Sequence, residues 1–326
     1  MSPPAPSAEL IPDRGQAAAS EEFFRSRPFL DAEEVTHTLR IINGESELLA
    51  PLIVRPIDGG PRVDAISPYG YPGLILRGAT ASPHAGMSAK SPGGPAIDPD
   101  SVDFSATGLV SLFIRHALGE SPLTGARERK VVQIADPALP SKSRMSDRQQ
   151  IRRNIRRGYQ VEVVAGPQAS ADQRAGFLAA YEQTMRRTDA AERYFFGPAY
   201  FDRALESDRS WLVLAIAPGG EVAAASIAAR SDEVLHYYLS ASADANLRDS
   251  PMKNVVATLV ELAADLGIPF NLGGGIARGD ALEEFKRGFA NREQPWLTSE
   301  IVCDAIAYER ISAHRDAAGF FPAYRA

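Results

Sequence analysis

The sequence predicts an α/β (α+β) fold of mixed sheets flanked by helices. Three observations lead there. The 326 residues are 44% hydrophobic and 23% charged, enough apolar material for two modest domains or one large one. The first half shows short β-rich runs broken by Pro and Gly. The second half alternates helical and extended patterns with clear start and stop signals.

Met1 to Ser20 is small, Pro-rich and polar, and reads as a disordered tail without the basic and apolar regions of a secretory signal. A first domain is expected over residues 21–145. Its strand candidates are Leu49 to Ile57, Leu74 to Arg77, Leu109 to Ala117 and Lys130 to Ile134. Between them Ala79 to Ser101, rich in Gly, Pro, Ser and Ala, reads as a surface loop or mobile lid. A second domain is expected over 146–304. Ser146 or Asp147 caps a helix ending at Gly158, with Ile151 and Ile155 on its buried side, and strand Val161 to Val164 follows. Ser170 and Gln173 have capping-box spacing and open a helix striped by Phe177, Tyr181 and Thr184. After a short helix, Pro198 to Leu205, come strands Trp211 to Ala217, Glu221 to Ala229 and Leu235 to Ser242. Ser250 and Pro251 then start a helix stopped by Gly267, with Val255, Leu259, Leu262 and Leu266 inward. Strand Phe270 to Leu272 runs into Gly273-Gly274-Gly275, and Asp280 with Glu283 caps a helix carrying Leu282, Phe285 and Phe289.

This order is the connectivity of an N-acetyltransferase (GNAT) type of acyl-transfer domain, an analogy of fold alone. Asn271 to Phe289, NLGGGIARGDALEEFKRGF, goes further. It resembles the LGGG…D-x-L-x-x-F-K-x-x-F signature of the Fem peptidyltransferases, which append amino acids from aminoacyl-tRNA to an amine. IRRNIRRGY at 151–159, YEQTMRR at 181–187 followed by Tyr194-Phe195-Phe196, LHYYLS at 235–240 and SPYGYPG at 67–73 stand in the family's order. The resemblance implies two tandem GNAT-like domains, an acceptor held in a cleft, and a final segment, 305–326, returning to the first domain. No heptad run corresponds to the coiled-coil arm of larger relatives.

By that resemblance Lys286 and Phe285 are the catalytic positions. Leu282, Phe285, Lys286 and Phe289 share one helical face. Spacing alone would make Lys286 a snorkelling lysine reaching water past Phe289. In the family it would neutralise the oxyanion formed as an amine attacks an ester. The acceptor side would include Arg187 in preference to Arg186, together with Tyr194, Tyr237, Tyr238, Tyr69, Tyr71 and His116. Gly273, Gly274 and Gly275 either offer amides to an anion or make a tight turn. Only one of Tyr237 and Tyr238 can face a cleft from a strand. His116 lacks the spacer and proline of the family pattern. No general base stands out, and in the family the donor's terminal adenosine can help move the proton.

Charge addresses the partner. The chain is −6 overall, yet Lys142 to Arg157 holds seven basic residues and one acid, without a compensating Glu at helical spacing. Arg152, Arg153, Arg156 and Arg157 are therefore expected to meet tRNA phosphates. The donor side discriminates too, because a coenzyme A site needs a glycine-bearing loop to cradle pyrophosphate. Here that stretch is Asn246-Leu247-Arg248-Asp249-Ser250-Pro251, with a carboxylate and no glycine. The expectation is a tRNA-dependent aminoacyltransferase acting on a peptidoglycan precursor or a natural-product amine, with no cofactor beyond aminoacyl-tRNA. The alternatives are an acyl-CoA N-acyltransferase, which would take acetyl- or acyl-CoA, and a catalytically idle RNA- or ligand-binding module. The single Cys303 excludes an internal disulfide and a multi-cysteine zinc site, so no metal is expected. No apolar run reaches the ~20 residues of a membrane span, and a cytoplasmic monomer is expected.

Overall fold

The structure is a computed structural model that describes residues 5–58, 60–78, 96–119, 121–313, 315 and 317–326. Most of the loop anticipated at 79–101 lies outside the described residues, which resume at 96. The chain forms two compact units, Met1–Lys130 with Pro295–Ala326, and Val131–Gln294.

The first unit contains β1 (Ser7–Ile11), α1 (Arg27–Ala32), β2 (His37–Asn43), β3 (Ser46–Pro56), β4 (Val63–Ile66), β5 (Ile75–Gly78) and β6 (Leu109–Arg115). β1 corrects the expectation of a disordered tail, since it pairs antiparallel with β2 from Ser7↔Ile42 to Ile11↔Thr38. Its partner lies about thirty residues downstream, beyond the reach of local pattern reading. Glu9 opposes Arg40 in that register, and their side chains pair at 3.1 Å. The sheet runs β1-β2-β3-β4-β6, with β5 also on β3 and β4 parallel to β6. Leu39, Ile41, Leu52, Leu112 and Ile114 are central to its core.

β7 (Arg127–Ala135) enters the second unit, followed by α2 (Met145–Arg156), β8 (Gln160–Ala165), α3 (Ala171–Arg187) and α4 (Pro198–Ala204). Then come β9 (Ser210–Ile216), β10 (Val222–Ser231), β11 (Val234–Ser242), α5 (Met252–Leu266), β12 (Phe270–Gly273) and α6 (Ala281–Arg287). The sheet order is β7-β12-β11-β10-β9-β8, and only β11–β12 is parallel. The capping box opens α3, with Ser170 N–H to Gln173 Oε1 at 2.9 Å and Gln173 N–H to Ser170 Oγ at 3.2 Å. Under α5, Val255 and Leu259 pack on Phe270 and Leu272.

Two details of this unit differ from the sequence reading. Ile155 is 60% exposed, because α2 turns Asp147 and Asn154 inward instead. Asn154 donates to Asn254 Oδ1 and to the Asp249 carbonyl, both at 2.8 Å, so a polar network fixes that face. Ser250 is left-handed (φ 47°) and makes no side-chain cap on α5.

β13 (Arg292–Val302) and α7 (Ala305–Ser312) complete the chain. Thr298–Val302 of β13 pairs antiparallel with β6, so the first unit regains the chain at Pro295, ahead of the expected 305. Its earlier segment ends at Lys130, not at 145, since Gln133–Ala135 of β7 pairs with β12. Tyr324 bonds Ser111 Oγ at 2.7 Å, and Arg325 bonds the buried Asp64 at 2.5 Å, tying the last residues to β6 and β4.

Candidate active site

β11 and β12 pair at only two positions, Leu235↔Phe270 and His236↔Asn271. One residue further, β11 carries a bulge: Ile227 opposes Leu239 and Ala228 opposes Tyr237, leaving Tyr238 as the extra residue. The β11–β12 pairing stops at His236↔Asn271, and Lys286 of α6 comes beside the next residue, Tyr237. Its Nζ sits 5.9 Å from the centre of the Tyr237 ring and donates to the Gly274 carbonyl at 2.7 Å. Lys286 is only 8% exposed, so it does not snorkel. Leu282 is instead the exposed member of the expected stripe, at 40%, while Glu283, Lys286 and Phe289 are buried and Phe285 is half-buried against Phe289. A short helix of two turns lets Asp280 set this orientation, because its carboxylate caps Glu283 N–H at 2.7 Å.

The glycine turn makes a tight approach to Lys286. Gly273 is left-handed (φ 76°), and a Cβ there would stand 3.2 Å from the Lys286 ammonium. A Cβ on Gly275 would collide with Asp280 Oδ1. Most amides of this segment are spent internally. Gly273 N–H donates to Asn271 Oδ1 at 2.8 Å, while Ile276 and Ala277 N–H donate to Asp280 Oδ2 at 2.7 and 2.9 Å. An anion-cradling role for Gly273 is thereby corrected to a turn role. The Glu283 amide, with those of Ala277 and Ile276, holds the Asp280 carboxyl below the usual carboxylate range. Asp280→Ala is expected to cost about 1 kcal/mol of stability at pH 7 by loss of the cap. The carboxyl's contribution is present above its unfolded pKa and fades as pH falls through the lower folded value, which urea unfolding at pH 7 and pH 3 checks.

The other anticipated residues take varied places. Tyr237 packs on Phe270, and burial raises its hydroxyl pKa, keeping it protonated. Tyr238 points to the opposite face and hydrogen-bonds Tyr200 of α4, which stacks on Phe196 at 4.1 Å. Tyr194 accepts from Tyr181 through its carbonyl at 2.8 Å, with Arg193 lying over its ring. Arg187 ion-pairs with Asp244 and reaches the Ser242 carbonyl at 3.3 Å, at the far end of β11. In the first unit Tyr71 packs between Phe24 and Trp296, and Tyr69 N–H donates to Glu33 at 2.7 Å.

His116 is fully buried, with Nε2 2.8 Å from Ser299 Oγ and Nδ1 unpaired. It is not placed to touch substrate, which corrects the expectation. Burial lowers its pKa to about 4, and that of His236 likewise to about 4. A depressed histidine stays neutral when folded, so its stability contribution is whole above the unfolded value near 6.5 and is lost as pH falls toward 4. His116→Gln, which keeps a donor toward Ser299, is expected to flatten the decline in unfolding free energy between pH 6.5 and 4.5. An unchanged slope would show that His116 titrates normally. Burial pushes the Cys303 thiol up to about 12, so it offers no thiolate nucleophile near neutrality.

Residues 142–287 match the family described as Acetyltransferase (GNAT) domain. Over nearly the whole chain, the protein is similar to the crystal structure of FemX, with a TM-score of 0.62 and 11% identity across 93% of this chain and 99% of that one. It is also similar to the C-terminal domain of a putative lysylphosphatidylglycerol synthetase from Agrobacterium fabrum (TM-score 0.53, 13% identity, 90% and 92% covered). L-PGS from Bacillus licheniformis gives 0.52 at 12% identity, with 91% and 94% covered. At such identities the likeness shows the fold, a mixed α/β tandem GNAT-like arrangement. No curated protein sequence matches the chain.

The connection from β11 to α5 is occupied by the chain's own side chains. Asp249 ion-pairs with Arg157, accepts from Tyr159 at 3.0 Å, and offers its carbonyl to Gln150 at 3.0 Å. An anchored carboxylate repels the pyrophosphate of a coenzyme A. Around α2, acids absent from the local sequence arrive from elsewhere, Glu284 pairing with Arg144 and Asp249 with Arg157, while the one local acid, Asp147, is taken up by Lys253 at 2.9 Å. Arg152, Arg153 and Arg156 remain exposed, without an ion pair among the described residues. Among those residues no His, Cys, Asp and Glu group could hold a metal ion, and no helix is long and apolar enough to cross a membrane. Sequence reasoning gave no site role to Asn271, His236 or Asp244. Asn two residues before a left-handed glycine is a turn signal that could have exposed the first.

Proposed function

We propose that the protein is an aminoacyltransferase that moves an aminoacyl group from aminoacyl-tRNA to an amine on a small acceptor, a peptidoglycan precursor or natural-product intermediate. The observation that carries this reading is the buried Lys286 ammonium where the β11–β12 pairing stops, held by Gly274 beside Tyr237. In the reaction the acceptor nitrogen attacks the ester carbonyl carbon, and the carbonyl electron pair moves onto oxygen. An ammonium carries three donors, so the hold on Gly274 is compatible with a second bond to that oxyanion. Collapse breaks the ester C–O bond, and the departing ribose oxygen takes the proton that the attacking amine gives up. No side chain need remain protonated or deprotonated at the end of the cycle.

Support for RNA as the donor comes from the exposed arginines of α2 and from the carboxylate-filled connection before α5. The acyl-CoA reading is favoured by the description of the matched family. Transfer of labelled amino acids, with tRNA and synthetases, resolved by mass spectrometry with and without ribonuclease, separates the two. Loss of product with ribonuclease is expected. Activity that survives ribonuclease and needs acyl-CoA would replace this reading with the second.

A further inference from the structure

Asn271 connects two groups that are otherwise separate. Its Oδ1 accepts the Gly273 N–H at 2.8 Å, and its Nδ2 faces His236 Nδ1 at 3.1 Å. Because the oxygen is committed to an amide hydrogen, the nitrogen must be the atom that faces the ring, so His236 Nδ1 accepts. The ring's remaining proton then lies on Nε2, and the backbone of Ser231 is its further partner. Both side chains are buried, Asn271 at 1% exposed and His236 at 2%. A buried amide bonded on both ends has one orientation.

The consequence reaches Lys286 through two peptide units. The Asn271 bond holds Gly273 in its left-handed turn, and the next carbonyl, that of Gly274, receives the ammonium at 2.7 Å. We propose that Asn271, its amide locked by His236, is the positioning residue for Lys286: it fixes the turn that aims the Gly274 carbonyl and so places the ammonium against Tyr237. The effect on turnover rests on the catalytic role of Lys286 given above, whereas the effect on the lysine itself does not.

Two readouts keep these apart. The first is the rate at which an acetylating reagent modifies Lys286 across pH, followed by peptide mass spectrometry on the intact folded chain. The second is kcat and KM in the transfer assay. Asn271→Leu is expected to raise Lys286 modification several-fold and move its pH midpoint. It should also lower kcat about 10- to 100-fold at unchanged KM for the donor, as misplacement by about an ångström does. His236→Leu should repeat the pattern more weakly. His236→Asn, whose Oδ1 can replace the accepting Nδ1, should restore most of the turnover lost in His236→Leu. If Asn271→Leu does not fold, the His236 pair gives the same comparison. A wild-type modification profile in the folded leucine variants overturns the proposal, whatever their activity. A changed profile with unchanged kcat would uphold the positioning and overturn the role of Lys286 in transfer.

Discussion

Lys286→Met is expected to lower turnover about 100- to 1000-fold, the loss typical of removing one well-placed oxyanion donor. Methionine suits this test because it is unbranched and close to lysine in length, so it can fill the space beside Tyr237 and Phe285 without the ammonium. The unfolding midpoint should change little, since the variant gives up the bond to Gly274 and with it the burial of a charge. The Gly274 carbonyl loses a donor, which sets a cost of about 1–3 kcal/mol against that gain. Lys286→Arg is a second arm. Its charge is kept, but the planar fork cannot reproduce a single short bond to Gly274 with Gly273 so near, so turnover should stay well below wild type. Single-turnover rates on preformed aminoacyl-tRNA are the measurement, because they isolate chemistry from product release. Wild-type single-turnover rates in Lys286→Met would remove the lysine from the mechanism.

The second unit was legible in the sequence because its signals are local. A capping box, a Pro-Gly-Gly turn and a glycine stop each involve residues fewer than five apart, and each marks an element that the structure contains. The first unit hides its edge. SAELI at 7–11 is too short to show a period, and only pairing with β2 makes it a strand. Ile155 misled for a related reason, since apolar spacing of four suggested a buried face where Asn154 and Asp147 find polar partners contributed by α5 and its leading loop. The site divides along the same line. Lys286 and the glycines were visible as a motif, whereas Asn271–His236 joins residues thirty-five apart, and the carboxylates that complete Arg157 and Arg187 come from the β11–α5 connection. Pairings set by parallel strand register leave no periodic trace in either segment.

Replacing Arg152, Arg153 and Arg156 together by Glu should weaken donor use most of all the surface changes open to this chain. These three are the exposed cations on the second half of α2 that no ion pair compensates among the described residues, whereas Arg144 and Arg157 are paired with Glu284 and Asp249. Arg157 was expected to join them on RNA, but its pairing with Asp249 ties it to the loop, so it is left in place as part of the scaffold. On a chain of net −6, single-sign charge on one helix is what draws a polyanion to that helix and not elsewhere. Each phosphate that the variant no longer neutralises should reduce the slope of log affinity against log salt by about 0.7–0.9, so the triple variant should lose about two units of slope if all three arginines bind. KM for aminoacyl-tRNA is then expected to rise about 10- to 100-fold at low salt, and kcat at saturating donor to hold, because none of the three touches Lys286 or the glycine turn. Titration of tRNA binding from about 50 to 300 mM salt, wild type beside variant, gives both quantities. Parallel lines for the two proteins would show that the phosphates lie on another face, whereas convergence at high salt is the signature of binding made through charge alone.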